Sequence, residues 1–406
     1  MKLLAGVCGS MIGIGVAWAG EPYDAGAVYD EVCRLAEERF LDPEMNGVDW
    51  DAACAERREA ALRATSALEL APVIDGLLAE LGTSHTAFYP RGSRHWAELL
   101  DIFFDDALWD GWPEDFVELP VRHVSAGIVT REIDGRVFVE DVYPGSAAEM
   151  AGVLTGDELV SVNGRRWTDR AVWPAGTNEA VAVVVRREAD GPMIRMRIAA
   201  ELVRPDEVFA GAQRRSVRVE ERDGARVAIV KLRNGGGPYT ELFEEQMRSE
   251  AIQGADALVL DIRGGWGGVP LDFLTRFDRD IATFEARMRG GDWRASPTVW
   301  RKPLVLVIDG GSRSGKEILA SNARSAGRGV LVGERTRGAV VGGSPLPLPD
   351  GSILYLAVMD VRVDGERLEG VGVAPDVHVP FELPYSAGAD PQLEAAIDEA
   401  VKLVTE

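Results

Sequence analysis

Leu304-Val305-Leu306-Val307-Ile308-Asp309-Gly310-Gly311-Ser312-Arg313-Ser314-Gly315-Lys316-Glu317-Ile318-Leu319-Ala320 reads as an apolar strand, a glycine-rich turn, a serine and the start of a helix. Such a turn sets the Ser314 hydroxyl at the positive end of a helix, beside free backbone N–H groups. There an attacking oxygen and a developing oxyanion are both stabilised. The same letters have a plainer use. Ser314 with Glu317 three residues on is also a capping box, which starts a helix and does nothing more.

Outward from this stretch, strands and helices alternate from about residue 203 onward. Strand-like runs fall at 227–230, 257–262, 304–308, 330–332 and 353–358, with helices expected over 240–252, near 270–280, from Ser314 and over 392–403. The alternation predicts an α/β layer structure with its loops gathered at strand ends. The 257–262 strand runs into Gly264-Gly265-Trp266-Gly267-Gly268, which lacks the GK[ST] ending of a phosphate-binding loop.

Residues 22–90 read as helices, because Tyr29, Val32, Leu35, Ala36 and Phe40, and later Leu70, Val73, Ile74, Leu77, Leu78 and Leu81, recur at helical spacing. This segment runs into Gly82-Thr83-Ser84-His85-Thr86. Residues 91–120 carry Trp96, Phe103, Phe104, Trp109, Trp112 and Phe116, which suggests a packed connector. Over 121–202 the pattern is strand, Pro144-Gly145 turn, short helix, Gly156-Asp157 turn, strand and Asn163-Gly164 turn. That order resembles a PDZ domain. The resemblance implies a groove that takes an extended peptide as an added strand, with Ala126, Gly127 and Ile128 where a carboxylate-binding loop would lie. The plainer alternative is a small β-domain acting as a spacer.

Composition sets the bounds. A chain of 406 residues with 46% hydrophobic content can bury more than one core, and a net charge of −22 leaves no basic stripe for nucleic acid. Lys2, the apolar 3–17 stretch and Ala17-Trp18-Ala19 read as a secretory signal over 1–19, a retained anchor being the alternative. Export to a periplasmic or extracellular space is therefore expected, without stable membrane insertion once the signal is removed. Cys8 lies inside that segment. Cys33 and Cys54 are expected to form a disulfide, against two buried thiols. There is no HExxH and no paired CxxC, so no metal or cofactor is expected.

The helical front, the PDZ pattern, LDIRGGWGG over 260–268, the serine loop, VGERT over 332–336 and LEGVGVAPDV over 368–377 occur together in this order. The combination resembles the C-terminal processing peptidase family, in its tail-specific, tricorn-type branch. It implies an α/β (α+β multidomain) protein. A ClpP/crotonase-like peptidase core over 203–406 would carry an inserted PDZ domain and an N-terminal helical domain.

The family runs on a serine–lysine pair or on serine and histidine backed by a second serine and a glutamate. Ala339 stands where the lysine would be, and the nearby Lys316 is two residues from Ser314, roughly 200° around a helix. The histidine version fits better. The resemblance assigns Ser314 as nucleophile, His85 as base, Ser84 and Glu369 as its supports, and the N–H groups of Gly267 and Gly315 as the oxyanion hole, with Gly268 next if the register slips. Imidazole suits the role because its ordinary pKa, about 6.5, lets it act as base and then acid near neutrality. His95, His123 and His378 lack a supporting motif and are expected to be surface or structural. The implied function is an exported serine endopeptidase acting on peptides or unfolded protein tails. An inactive peptide-binding scaffold, or a binder of small apolar ligands on the same fold, remains open.

Overall fold

A computed structural model describes residues 23–103, 122–167, 180–236, 238–278 and 299–406, with short pieces between 285 and 295. The expected signal over 1–19, and Phe104, Trp109, Trp112 and Phe116 of the aromatic connector, lie outside the described residues.

The central sheet has six strands, in the order Arg218–Arg222, Ala225–Lys231, Ala257–Asp261, Leu304–Ile308, Val330–Gly333 and Val377–His378. The first pair is antiparallel and the rest are parallel. The inner strands Ala257–Asp261, Leu304–Ile308 and Val330–Gly333 read as nearly unbroken apolar runs because both faces are covered. Val227, Ile229, Val259, Val305 and Val307 face Leu393, Ile397 and Val401 of the C-terminal helix Pro391–Thr405. Alternate residues Val230, Leu258, Leu260, Leu304 and Leu306 face Phe243, Met247, Leu319 and Ala323 from helices Tyr239–Met247 and Gly315–Ser325. Parallel pairing sets Asp261 opposite Val307 and Ile308 opposite Gly333, so the loops that follow three strands open on one edge of the sheet.

Several expected elements differ in detail. The 240–252 helix is two, Tyr239–Met247 and Glu250–Gln253, because Ser249 leaves the first and caps the second by accepting from Ile252 N at 3.4 Å. The helix near 270–280 is a 3-10 turn over Phe273–Phe277. A helix at Pro205–Ser216 was not foreseen.

The front of the chain is not purely helical. Helices Ala25–Arg39, Trp50–Ala61 and Ala67–Leu78 each begin at an acidic or serine cap, Asp24, Asp49 and Ser66. They pack on a three-stranded antiparallel sheet in which Ala87–Tyr89 pairs with Ile353–Met359, and that strand with Gly342–Pro347. The Ala87↔Tyr355 and Tyr89↔Ile353 pairs join two parts of the sequence more than 260 residues apart. Cys33 and Cys54 form a disulfide between the first two helices, with Cα atoms 6.3 Å apart.

Beyond this sheet the helix Arg94–Phe103 packs Trp96, Leu99 and Leu100 against Trp266, Ile353 and Tyr355, so the described part of the connector is packed as expected. A second, antiparallel sheet holds Ile128–Ile133, Arg136–Val142, Glu158–Val162, Val181–Arg186 and Met193–Ile198 around Val139, Leu159, Val183 and Val185. It is tied to the central sheet where Asp141 meets Arg233 at 3.0 Å and Lys231 at 3.3 Å. No helix among the described residues is long and apolar enough to cross a membrane.

Candidate active site

Ser314 sits at the turn between the Leu304–Ile308 strand and its helix with φ 56° and ψ −128°. That is a left-handed conformation that a non-glycine residue adopts only when its surroundings impose it. Two contacts hold it there. Ser314 N donates to Ala339 O at 2.8 Å and to Glu317 Oε2 at 3.2 Å. The Glu317 amide itself goes to the Ser314 carbonyl, at 2.8 Å.

Glu317 does far more than cap. Its buried carboxylate also accepts from Thr336 Oγ1 at 2.5 Å, Gly338 N at 2.7 Å and Ala339 N at 2.7 Å, which fixes the 336–339 loop against the serine turn. Burial raises its pKa, against the pull of these donors. The sequence reading saw only the cap.

Gly267 and Gly315 flank the serine. A Cβ on Gly267 would stand 2.5 Å from Ser314 Cβ, and one on Gly315 would stand 2.6 Å from Val269 O. Only glycine permits either approach. The Gly264–Gly268 loop is braced by Trp266, whose N–H goes to Arg233 O at 3.1 Å and whose indole donates to Glu98 Oε2 at 2.7 Å.

The other half of the site comes from the N-terminal segment. Ser84-His85 immediately precedes the Ala87–Tyr89 strand, so pairing with Ile353–Met359 delivers the imidazole to the core. His85 has φ 57° and its ring lies 5.4 Å from that of Tyr355, which in turn lies 6.3 Å from Trp266. Ser84 Oγ is 2.9 Å from His85 Nδ1 and donates to Glu369 Oε2 at 2.9 Å. Glu369 is locked by Ser84 N at 2.9 Å and Val340 N at 2.7 Å. Burial, then the charges of Arg313 and Arg337, push the His85 pKa down to about 4, so the ring is neutral at pH 7. No hydrogen bond joins His85 to Ser314 directly. The bonded path between them runs through Ser84, Glu369 and the adjacent Val340 and Ala339 to Ser314 N.

Lys316 is fully buried and its pKa is pushed down to about 7, chiefly by burial. Its Nζ is spent on two carbonyls, Gly264 O at 2.7 Å and Arg233 O at 3.1 Å, and not on Ser314. Ile128 opens the second sheet, with Ala126 and Gly127 in the loop just before it, and none of the three belongs to this cluster. There Gly127 N donates to Ser125 Oγ at 3.0 Å, and the Gly127 carbonyl accepts from Tyr143 N at 2.8 Å. The Ile128–Ile133 strand pairs on one side only among the described residues. His95 lies in the aromatic cluster with Tyr89 and Trp266, His123 is buried and His378 is exposed. Among the described residues no cluster of His, Cys, Asp and Glu could hold a metal ion.

Residues 226–379 match the model of peptidase family S41, residues 25–79 that of the tricorn protease C1 domain, and residues 138–171 that of a PDZ domain. The S41 match covers the core segment that carries Ser314 and Glu369. It is 28% identical over 401 residues to the putative tricorn protease homolog 2 of Streptomyces coelicolor, covering 93% of this chain and 32% of that protein. To the carboxy-terminal processing protease CtpA of Bacillus subtilis it is 25% identical over 276 residues, 64% of this chain and 57% of that one. The chain thus spans about a third of the length of the tricorn-type relatives it matches. Among solved structures, the tricorn protease superposes with a TM-score of 0.55 at 18% identity, over 94% of this chain and 37% of that one. The photosystem II D1 C-terminal processing protease gives 0.51 at 21%, over 91% and 98%. These likenesses establish the fold of the chain.

Proposed function

We propose that this chain is a serine endopeptidase that cuts peptides or unfolded protein tails through an acyl-enzyme, with Ser314 as nucleophile and His85 as base. The observation that carries the reading is the Glu369–Ser84–His85 relay. The single Ser84 proton is donated to Glu369, so Ser84 Oγ accepts from His85 Nδ1–H. That fixes the tautomer and leaves the Nε2 lone pair as the base. In the reaction Nε2 closes on Ser314 Oγ as substrate binds and takes its proton. The oxygen then attacks the scissile carbonyl, and the imidazolium returns the proton to the leaving amine. Glu369 offsets the imidazolium charge through Ser84.

The N–H groups of Gly267 and Gly315, neither of which has a partner among the described residues, receive the oxyanion, with Gly268 as the neighbouring alternative. One such donor lowers the barrier by roughly 3–4 kcal/mol. The position of the Ile128–Ile133 strand at the end of its sheet among the described residues supports a peptide-presenting role for the 121–202 unit. An extended tail would add as a strand there, its carboxylate taken by amides of 126–128 once Gly127 releases Ser125 Oγ. The signal-like 1–19 segment and the Cys33–Cys54 bridge support export to a periplasmic or extracellular compartment.

The test is labelling by a fluorophosphonate. The wild type is expected to label, Ser314→Ala not at all, and His85→Ala far more slowly. Labelling retained in His85→Ala but abolished in Lys316→Met would move the base to the lysine. Absence of labelling in a well-folded chain would leave the peptide-binding scaffold in its place.

A further inference from the structure

Two arginines stand at the serine turn without a counterion among the described residues. Arg313, next to Ser314 in the chain, lies with its guanidinium 4.1 Å above the Trp266 ring and donates Nε to Gly265 O at 2.9 Å. Arg337 is pinned alongside by its backbone N–H, which donates to Ser312 O at 3.0 Å, while its side chain is exposed. The two cations are close enough for Arg337 to depress the Arg313 pKa, and both depress that of His85. Both line a cavity of about 990 Å³ between the central and second sheets, together with Gly264, Gly265 and Trp266. Neither forms an ion pair among the described residues, although the chain holds 66 Asp and Glu against 44 Lys and Arg.

The nearby acids are committed elsewhere. Glu98 is bound to Arg94 at 2.9 Å and to the Trp266 indole. Asp309 accepts from Gly311 N at 2.9 Å and Ser312 N at 3.0 Å, and Glu334 accepts from Gln392 at 3.0 Å. Like charges held together and partly desolvated are costly unless an anion joins them. One of them is already oriented as a fork by an aromatic face and a carbonyl, the arrangement that suits a carboxylate.

Resting on the proposed peptidase reading, we propose that Arg313 and Arg337 form a carboxylate-binding subsite, so that the preferred peptide bears an anionic group within roughly two residues of the bond cut. The distance follows from an extended chain advancing about 3.3 Å per residue from a serine adjacent to Arg313. The subsite also couples recognition to chemistry. A bound carboxylate cancels the positive field on His85, which makes the imidazole a stronger base when the right peptide is present. Groups facing His85 are these two arginines, the neutral Tyr355 phenol, and Glu369 through Ser84.

The test uses internally quenched peptides that differ only by Glu or Gln at each of the two positions on either side of the cut. Each is made with a free or an amidated C-terminus. Wild-type kcat/KM is expected to favour one Glu peptide over its Gln twin by about tenfold or more, and the preference should shrink with added salt. In Arg337→Gln and Arg313→Lys the ratio should fall toward one, and the acid limb of the pH profile should move to higher pH in Arg337→Gln. If the ratio tracks the free C-terminus and ignores the side chain, the carboxylate is the peptide's own end. A chain that labels with fluorophosphonate and cleaves Glu, Gln, free and amidated peptides alike overturns the subsite alone. A chain that neither labels nor cleaves overturns both readings.

Discussion

Replacing Gly267 by alanine adds one methyl group where Ser314, the proposed nucleophile, already stands. The new Cβ would lie 2.5 Å from Ser314 Cβ and 3.0 Å from both Ser314 Oγ and Arg313 O. Carbon atoms in contact settle near 3.5–4.0 Å, so about 1 Å must be found. The serine side resists, because Ser314 N is held by Ala339 O and the helix begins at Gly315. The loop resists less. It is fixed by Gly235 N to Gly267 O at 3.0 Å and by the two Trp266 bonds, so the Gly267 amide is the group that moves. A displacement of that size costs about 10²-fold in rate by misplacement, and losing an oxyanion donor costs about 10²–10³. We expect kcat to fall about 10²- to 10³-fold with KM little changed. Gly267 is not in the left-handed region, so alanine brings no backbone strain and the thermal midpoint should stay within a few degrees. Gly310→Ala is the control: it lies on the same turn, an added Cβ meets nothing within 4 Å, and its rate should match the wild type within about twofold. Peptide hydrolysis and fluorophosphonate labelling, followed beside circular dichroism, make the measurement. A folded Gly267→Ala protein working at the wild-type rate would refute the placement of the oxyanion hole.

Four further outcomes are expected. Glu369→Gln keeps the shape but cannot accept from Ser84 N, Ser84 Oγ and Val340 N together, so kcat should drop about 10- to 100-fold, and an unchanged rate would remove Glu369 from the relay. The base must be neutral to act, and His85 is pushed down to about 4, so activity should persist at pH 5.5 and fall only as the pH drops through about 4; a half-point near 6.5 would contradict the burial. The same depressed histidine makes acid cost stability, because the unfolded chain binds a proton from about pH 6.5 downward and the folded one does not until about 4. Replacing both Cys33 and Cys54 by serine reopens a loop of 21 residues, for which chain entropy gives about 3 kcal/mol, read as a lower urea midpoint with near-normal activity.

How far the sequence could be read depended on where each element finds its partners. The 257–262 and 304–308 runs announced themselves because both faces of those strands are buried, which selects Val, Leu, Ile and Ala apart from Asp261 at a strand end. Ala87–Tyr89 did not, since three residues carry no measurable period and their partner strand begins at Ile353. Gly342–Pro347 was hidden for another reason. Pro345 and Pro347 argue against a strand, and they are tolerated because this strand is the outer one of its sheet. In the site, Ser84, His85, Ser314 and Glu369 were proposed from family resemblance, and the fold gathers the relay members without a direct His85–Ser314 bond. Glu317 was legible as a cap and not as the clamp of the 336–339 loop, because its other partners lie about twenty residues on. Nothing in the sequence singles out Arg313 and Arg337. Only their shared cavity and missing counterions set them apart.

The strand at Ala87–Tyr89 ties the imidazole's position to Ile353–Met359, and the relay ends at Glu369. A ribosome making this chain therefore emits the histidine more than 260 residues before the strand that anchors it. Ser314 is already made when residue 353 is reached, but Ser84 and His85 still lack both the strand and the carboxylate that hold them. On the proposed peptidase reading, the site cannot assemble until the chain has been made through Glu369, which would keep a growing chain from cutting itself.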